Sequence, residues 1–381
     1  MRPTSGTISL LTGSLPEERP SLRRLAEVRW GLLVAALALV VLGLLTVHSA
    51  SAEMKIDYLP RQAIFASVGF LLMLIAFSID HRVLLGLALP LYLLSLAALV
   101  AVLVVGIKAG GARSWLGFGN WRLQPSEFAK LATALLLARY LETANQRFLQ
   151  LSQIAVACLI VAVPMGLVVV EPDFGGAAMF APMLVGALLV AGVRLRIMVA
   201  ALLIACALGG LVWSFGLQPY QRDRVLTFLQ PERDPLGKGY QLRQSKIAVG
   251  SGELVGKGYM QGTQSQLRFL PARHTDFIFA VLAEEWGFLG VAATLALYAL
   301  YLFSGAQVAM RARDRAGIFL VVCLLAMTAV QVVYNTAMVV GLMPVTGIPL
   351  PFLSYGGSFM LYNFVATGII LGVDFRRFVN R

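Results

Sequence analysis

Ten runs of apolar residues constrain this chain more than any other feature. They lie at about 30–47, 62–79, 83–106, 127–141, 153–170, 174–193, 196–215, 276–304, 317–340 and 356–373. Most reach the roughly 20 residues that an α-helix needs to cross the hydrocarbon of a bilayer. The chain is 59% hydrophobic and only 13% charged, whereas soluble domains sit near about 45–50% apolar and 25% charged. The expectation is an all-α integral membrane protein of ten transmembrane helices. Residues 1–29, polar and of mixed charge, read as a flexible cytoplasmic tail, and 30–381 as one ten-helix membrane domain. No small-residue cleavage site follows the first run, which argues against a signal peptide.

The fourth run is short and interrupted by Lys130. The positive-inside rule decides whether it crosses. With ten spans and both ends cytoplasmic, the short cytoplasmic segments hold sixteen Lys and Arg and the short outer loops six. If the fourth run did not cross, the eight basic residues in the clusters from Arg194 onward would move outside. Ten crossings fit the rule better. The long loop, about 216–275, then faces away from the cytoplasm and carries the remaining nine basic residues.

Loops of that length are uncommon in compact domains, and apolar residues at intervals along this one predict short amphipathic helices at the membrane surface. Residues 341–355, GLMPVTGIPLPFLSY, are uncharged and proline-rich. They read either as a segment that dips into the membrane beside protein, since irregular backbone at that depth needs shelter from lipid, or as a plain apolar connector. No internal repeat is evident, which weighs against an inverted-repeat transporter. Cys158, Cys206 and Cys323 all fall within apolar runs and read as packing residues. The net charge of +12 points to cytoplasmic anchoring and to anionic lipid head groups or lipid-linked phosphates, not to nucleic acid.

Ionisable residues in or beside spans are costly, so each is a candidate for function. Glu127 and Lys130 stand three apart, on one helix face where they can pair, either as a structural ion pair or lining a polar cavity beside Arg113 and Arg122. Glu171-Pro172-Asp173 lies in the turn between the fifth and sixth runs, where Asp173 is a natural N-cap. Asp276 follows a basic stretch at the head of the eighth run and is the sharpest candidate. On a helix continuous from Asp276, Glu284 lies about 80° round, and Glu285 lies about 180° round and about 13 Å deeper. The three therefore do not form one cluster, and the segment does not offer the carboxylate pair of a glycosidase. Glu284 and Glu285 are expected to bond to neighbouring helices or to a cation such as Lys130. His274, read as a lone exposed loop histidine, carries less weight. No HExxH, CxxC, Walker or dinucleotide pattern occurs where it could work. The glycines at 250, 252, 256, 258 and 262 give a tight backbone whose N–H groups could meet an anion.

Several stretches resemble the SEDS family, the shape, elongation, division and sporulation proteins of bacteria. They are QPSEFAKL (124–131), EPDFGG (171–176), QRDRVLTFLQPERDPLGKGYQLRQSKIAVGSGELVGKG (221–258), HTDFIFAVLAEEWGFLG (274–290) and PLPFLSYGGS (349–358). The resemblance covers nearly all of the chain after the tail, and GTQSQLRFLPARHTDFIFAVLAEE is similar to the elongation-type members. It implies a ten-span peptidoglycan glycosyltransferase that polymerises lipid II on the outer face of the bacterial plasma membrane. The implied partner is a class B penicillin-binding protein, a transpeptidase. The family's essential aspartate falls on Asp276, and its other important charged positions fall on Asp173, Glu127 and Lys130.

Joined to the residues, the resemblance gives a mechanism. The 4-hydroxyl of an acceptor sugar attacks the anomeric carbon of a glycan held by undecaprenyl pyrophosphate, and the linkage inverts. Pyrophosphate is a good leaving group, so one carboxylate suffices, with Asp276 as base or as the carboxylate positioning a divalent cation (Mg or Mn). An ordinary aspartate, pKa about 3.9, is a weak base for an alcohol, so partial burial or a metal belongs to this expectation. Candidate cations for the pyrophosphate are Arg113, Lys130, Arg222, Lys246 and Arg273. The rival readings are a lipid II flippase and a non-catalytic scaffold for the transpeptidase.

Overall fold

The computed structural model describes residues 28–377 except 53, 55–56, 110–111, 119–120, 145–148, 195, 198, 201–202, 204–225, 227–229 and 235–236. Seven of its helices are long and apolar enough to cross a membrane: α1 (Trp30–Ser51), α2 (Leu59–Ser78), α4 (Ala88–Val105), α6 (Leu151–Val170), α11 (Ile278–Arg311), α12 (Arg315–Val339) and α13 (Gly357–Arg376). The short helix α3 (His81–Gly86) leads into α4. The sixth run forms α7 (Phe174–Ala178) and α8 (Phe180–Val190). The fourth is α5 (Pro125–Thr143). The seventh run, 196–215, lies almost wholly outside the described residues.

α1 shows why these sequences fold this way. Leu32, Ala35, Ala36, Leu39, Val40, Gly43 and Val47 recur at helical spacing and are buried, while Val34, Val41 and Leu45 on the other faces are exposed and equally apolar. A helix that is greasy all round has one face for protein and the rest for lipid. α13 lies at the centre, with 83% of its apolar window buried, and packs against α2. α5 is buried along most of its length, which explains how an interrupted run that carries Glu127 and Lys130 holds a place inside the bundle.

The all-α expectation needs one correction. Between α4 and α5 the chain forms a small antiparallel sheet of β1 (Ile107–Ala109), β2 (Ala112–Phe118) and β3 (Trp121–Leu123), in the order β1-β2-β3. IKA, ARSWLGF and WRL are too short to show a strand period, and glycines punctuate them.

The described part of the long loop holds the expected short helices: a 3-10 turn (Pro231–Arg233), α9 (Lys238–Ser251) and α10 (Thr263–Gln266). Its 253–258 stretch is fastened to α11 by an exchange of backbone bonds. α11 breaks at Gly287 (φ 62°, ψ −161°), a conformation essentially restricted to glycine. The N–H groups of Phe288 and Leu289 therefore donate to the carbonyls of Glu253 and Leu254, at 2.8 and 3.1 Å. The vacated carbonyls of Glu284 and Glu285 accept from Lys257 and Gly258 of the loop, both at 3.0 Å.

Candidate functional site

Asp276 is not on a helix. α11 begins at Ile278 with Phe277 at its N-cap position and no side-chain cap. Asp276 therefore sits in the preceding turn, outside the helix. The continuous helix assumed from the sequence is corrected at both ends, by this turn and by the break at Gly287. The separation of the three carboxylates stands for a different reason, because Glu284 and Glu285 have partners of their own. Glu284 is fully buried and accepts from Lys257 Nζ (2.7 Å), Thr263 Oγ1 (3.1 Å) and the backbone N–H groups of Gln264 (3.0 Å) and Ser265 (3.3 Å). Glu285 accepts from Ser49 Oγ on α1. Neither meets Lys130, which pairs elsewhere.

The turn that carries Asp276 is held against the 341–355 loop. Ser354 Oγ donates to the Thr275 carbonyl (2.7 Å) and accepts from the Leu350 N–H (2.8 Å). The Tyr355 N–H donates to the His274 carbonyl (2.9 Å). Asn335, buried on α12, donates from Nδ2 to both the Asp276 carbonyl (3.0 Å) and the Ile348 carbonyl (2.8 Å). A carboxyl oxygen of Asp276 lies 3.7 Å from where a side chain at Gly347 would begin. Gly347 is exposed and Asp276 half-buried, so this edge opens to the surface. The second half of the loop is sheltered by protein, with Ile348, Leu350, Phe352, Leu353 and Ser354 buried, while Leu342 and Met343 at its start are exposed.

The other motifs converge on the same loop. A Cβ on Gly175 would stand 2.6 Å from the Thr346 carbonyl, so only glycine lets the EPDFGG turn approach. Asp173 caps α7, accepting from the Gly176 N–H at 2.8 Å, and its other oxygen accepts from Gln124 Nε2 at 3.0 Å. The Gln124 N–H in turn donates to Ser358 Oγ at the head of α13 (2.9 Å). Lys130 and Glu127 pair at 2.7 Å, both buried, with the ammonium 5.0 Å from the Tyr362 ring centroid and 5.9 Å from that of Phe359. The 171–176 and 274–277 turns thus meet the 341–358 segment at Thr346 and Gly347, and 124–130 joins them through Asp173 and Ser358.

The candidate cations divide. Arg113 and Arg122 are exposed on β2 and β3. Arg273 is buried at 1% exposure, and its Nε donates to the Ala50 carbonyl at the end of α1 (2.6 Å); it ties the turn to α1 and does not face solvent. Lys246 is exposed on α9 and lies against Gly341, at the start of the 341–355 loop. Arg222 lies outside the described residues.

The surroundings of two residues named from the sequence, His274 and Glu171, become visible only in the fold. His274 is half-buried, its ring stacked on Tyr58 (4.5 Å between centroids, 5° between planes), with Tyr355 tilted against both. Burial and the neighbouring Arg273 charge pull its pKa down to about 4, so it is uncharged at neutral pH. Glu171, in the turn after α6, is fully buried with neither carboxyl oxygen hydrogen-bonded among the described residues. Burial, and then the Asp173 charge, raise its pKa to about 8. Among the described residues no three His, Cys, Asp or Glu side chains gather to hold a metal ion.

Residues 29–377 match the family described as "Cell cycle protein", the FtsW/RodA/SpoVE group, and the chain belongs to that family. Its likeness is to RodA-type members. It is 40% identical to the Escherichia coli K12 protein named peptidoglycan glycosyltransferase MrdB, over 91% of this chain and 93% of that one. The crystal structure of the Thermus thermophilus rod shape determining protein RodA superposes with a TM-score of 0.69 at 31% identity, covering 91% of this chain and 97% of that one. A chain of the structure described as structural coordination of polymerization and crosslinking by a peptidoglycan synthase complex superposes with a TM-score of 0.79 at 35% identity, covering 91% and 98%.

Proposed function

We propose that this protein is a peptidoglycan glycosyltransferase that polymerises lipid II into glycan strands during cell elongation. It lies in the bacterial plasma membrane, the inner one where there are two, with ten spans, cytoplasmic termini and Asp276 on the outer face. The observation that carries the reading is the placement of Asp276: a half-buried carboxylate, open at Gly347, on a turn held by hydrogen bonds from Asn335, Ser354 and Tyr355. The 40% identity to a protein named as a peptidoglycan glycosyltransferase supports the reaction. The likeness to a chain of a peptidoglycan synthase complex supports a class B penicillin-binding protein as partner.

In the reaction proposed, Asp276 accepts the proton of the acceptor sugar's 4-hydroxyl as that oxygen attacks the anomeric carbon of the growing glycan. The bond from that carbon to the undecaprenyl pyrophosphate oxygen breaks with its electron pair, and the configuration inverts. A general base needs to be within hydrogen-bond reach and fixed in direction, which a turn hydrogen-bonded at residues 274, 275 and 276 provides.

The test is polymerisation of lipid II by the purified protein with its partner in detergent, with and without divalent cation. Asp276→Asn is expected to abolish polymer while folding and lipid II binding persist; full activity in that variant overturns the assignment. Polymer formed without a bilayer separates this reading from flipping. Loss of wall synthesis in cells carrying Asp276→Asn separates it from a scaffold.

A further inference from the structure

We propose that Tyr298, in the middle of α11, is a positioning residue for this reaction: its hydroxyl holds the tip of the 341–355 loop, and through that tip it fixes the turn that carries Asp276. This rests on the glycosyltransferase reading above and adds to it a residue outside every motif of the sequence. Tyr298 is buried at 1% exposure, and its hydroxyl donates to the Pro351 carbonyl (2.5 Å). That carbonyl stands deep in the bundle. A Cβ on Gly43 of α1 would lie 2.5 Å from the Phe352 carbonyl oxygen and 2.8 Å from Leu353 Cα, so the tip packs directly on the α1 backbone. Gly43 lies eight residues before Ser51, where α1 ends, which is about 12 Å along the helix axis at 1.5 Å per residue. The turn of Asp276 is tied near that end, where Arg273 donates to the Ala50 carbonyl. The 341–355 loop therefore dips into the bundle beside α1, the sheltered alternative of the two its sequence allows.

The tip is strained and held from several sides. Phe352 has φ 64°, in the left-handed region that a bulky residue keeps only where its surroundings over-determine it. Its ring packs against those of Tyr301 and Phe364, each 5.7 Å away between centroids. Its carbonyl abuts Gly43, and the carbonyl before it takes the Tyr298 hydroxyl. Leu350, Phe352 and Leu353 beside that bond are buried, so a Pro351 carbonyl deprived of the hydroxyl is left among apolar groups, where an unpaired carbonyl is costly. The tip is also rigidly joined to the site. The Ser354 N–H donates to the Leu350 carbonyl (3.0 Å) and the Leu350 N–H to Ser354 Oγ (2.8 Å), closing residues 350–354 into one turn. Ser354 Oγ in turn donates to the carbonyl of Thr275, the residue before Asp276 (2.7 Å). Displacing Pro351 thus moves Ser354, and Ser354 moves Thr275. Tyr301, one turn further along α11, supplies the control, because its hydroxyl pairs with Thr367 of α13 (3.0 Å).

The experiment measures kcat and KM for lipid II polymerisation by the purified full chain with its partner in detergent, and amide hydrogen exchange over residues 350–355. Wild type, Tyr298→Phe, Tyr301→Phe, Ser354→Ala and the double variant Tyr298→Phe/Ser354→Ala are compared, with monodispersity as the folding control. Each tyrosine variant keeps its ring and loses one hydroxyl. Tyr298→Phe should lower kcat roughly 10- to 100-fold, the effect of a misplacement near 1 Å, with KM within twofold of wild type. It should also speed exchange at residues 350–355 about tenfold, the factor of one lost hydrogen bond. Tyr301→Phe should keep kcat within threefold. The double variant should lose little beyond Ser354→Ala alone, because the two side chains act in series. Any of three results overturns the proposal: kcat within twofold of wild type in Tyr298→Phe, an equal fall in Tyr301→Phe, or losses that simply add in the double variant. If Tyr298→Phe does not fold, Gly43→Ala presses on the Phe352 carbonyl from the opposite side, and an unchanged kcat there overturns the proposal equally. Wild type making no polymer would instead sink the glycosyltransferase reading, while exchange at residues 350–355 still reports whether Tyr298 holds the tip.

Discussion

Replacing Glu284 with alanine should release the outer loop from α11 without unfolding the bundle. The Glu284 carboxylate is fully buried and accepts four hydrogen bonds, all from residues 257–265. Removing it orphans the backbone N–H groups of Gln264 and Ser265, each costing about 1–3 kcal/mol where water cannot reach. Removing one member of a buried ion pair costs about 3–5 kcal/mol, but the Lys257 side chain is 25% exposed and can turn to solvent, which puts the change at the lower end. A loss of about 3–4 kcal/mol is a factor of roughly 100 to 1,000 in the local opening equilibrium. Amide hydrogen exchange reads that equilibrium directly. Exchange at residues 257–266 should accelerate by that factor in Glu284→Ala, while α12 and α13 keep wild-type protection. Polymerisation should fall because the 270–277 turn lies at the end of the released segment. Exchange within threefold of wild type at Gln264 and Ser265 would refute the clasp.

Two further expectations concern the buried polar groups Asn335 and Glu171. Asn335→Ala removes both bonds that hold the Asp276 and Ile348 carbonyls; kcat should drop about 10- to 100-fold, since a misplacement near 1 Å has that effect, with KM changed little and Asn335→Gln no better than partial rescue. Glu171, with its pKa raised from 4.5 to about 8, holds a proton in the folded state that an unfolded glutamate releases. Its contribution to stability is therefore present at low pH and is lost as pH rises from about 4.5 toward 8. Glu171→Gln should flatten the decline of melting temperature over that range; an unchanged slope would show that the buried carboxyl does not titrate with folding.

Much of this molecule follows from local sequence. Run length and lipid-scale hydropathy specify α1, α2, α4, α6, α11, α12 and α13 because a bilayer admits few other solutions. Asp173 reads as an N-cap from its place before Phe174, and the structure places it there. Glu127 and Lys130 pair because three residues is one helical turn. The strands of 107–123 stay hidden because three to seven residues with glycines carry no period. The helix assumed through Asp276 fails because propensity cannot see hydrogen bonds arriving from 79 residues away, such as Ser354 to Thr275.

Tertiary structure alone decided which charges share a site. Sequence treats Arg113, Lys246 and Arg273 as equivalent candidate cations of the outer surface. Folding buries Arg273 against Ala50, sends Arg113 to an exposed sheet and sets Lys246 against Gly341. That sorting depends on the irregular 341–355 loop, whose sheltered backbone must bond to something and bonds to the turn of Asp276. The aspartate itself was legible from the sequence. The frame that aims it comes from residues 62, 335 and 354, brought together only when apolar helices pack and leave their polar groups no partners but one another.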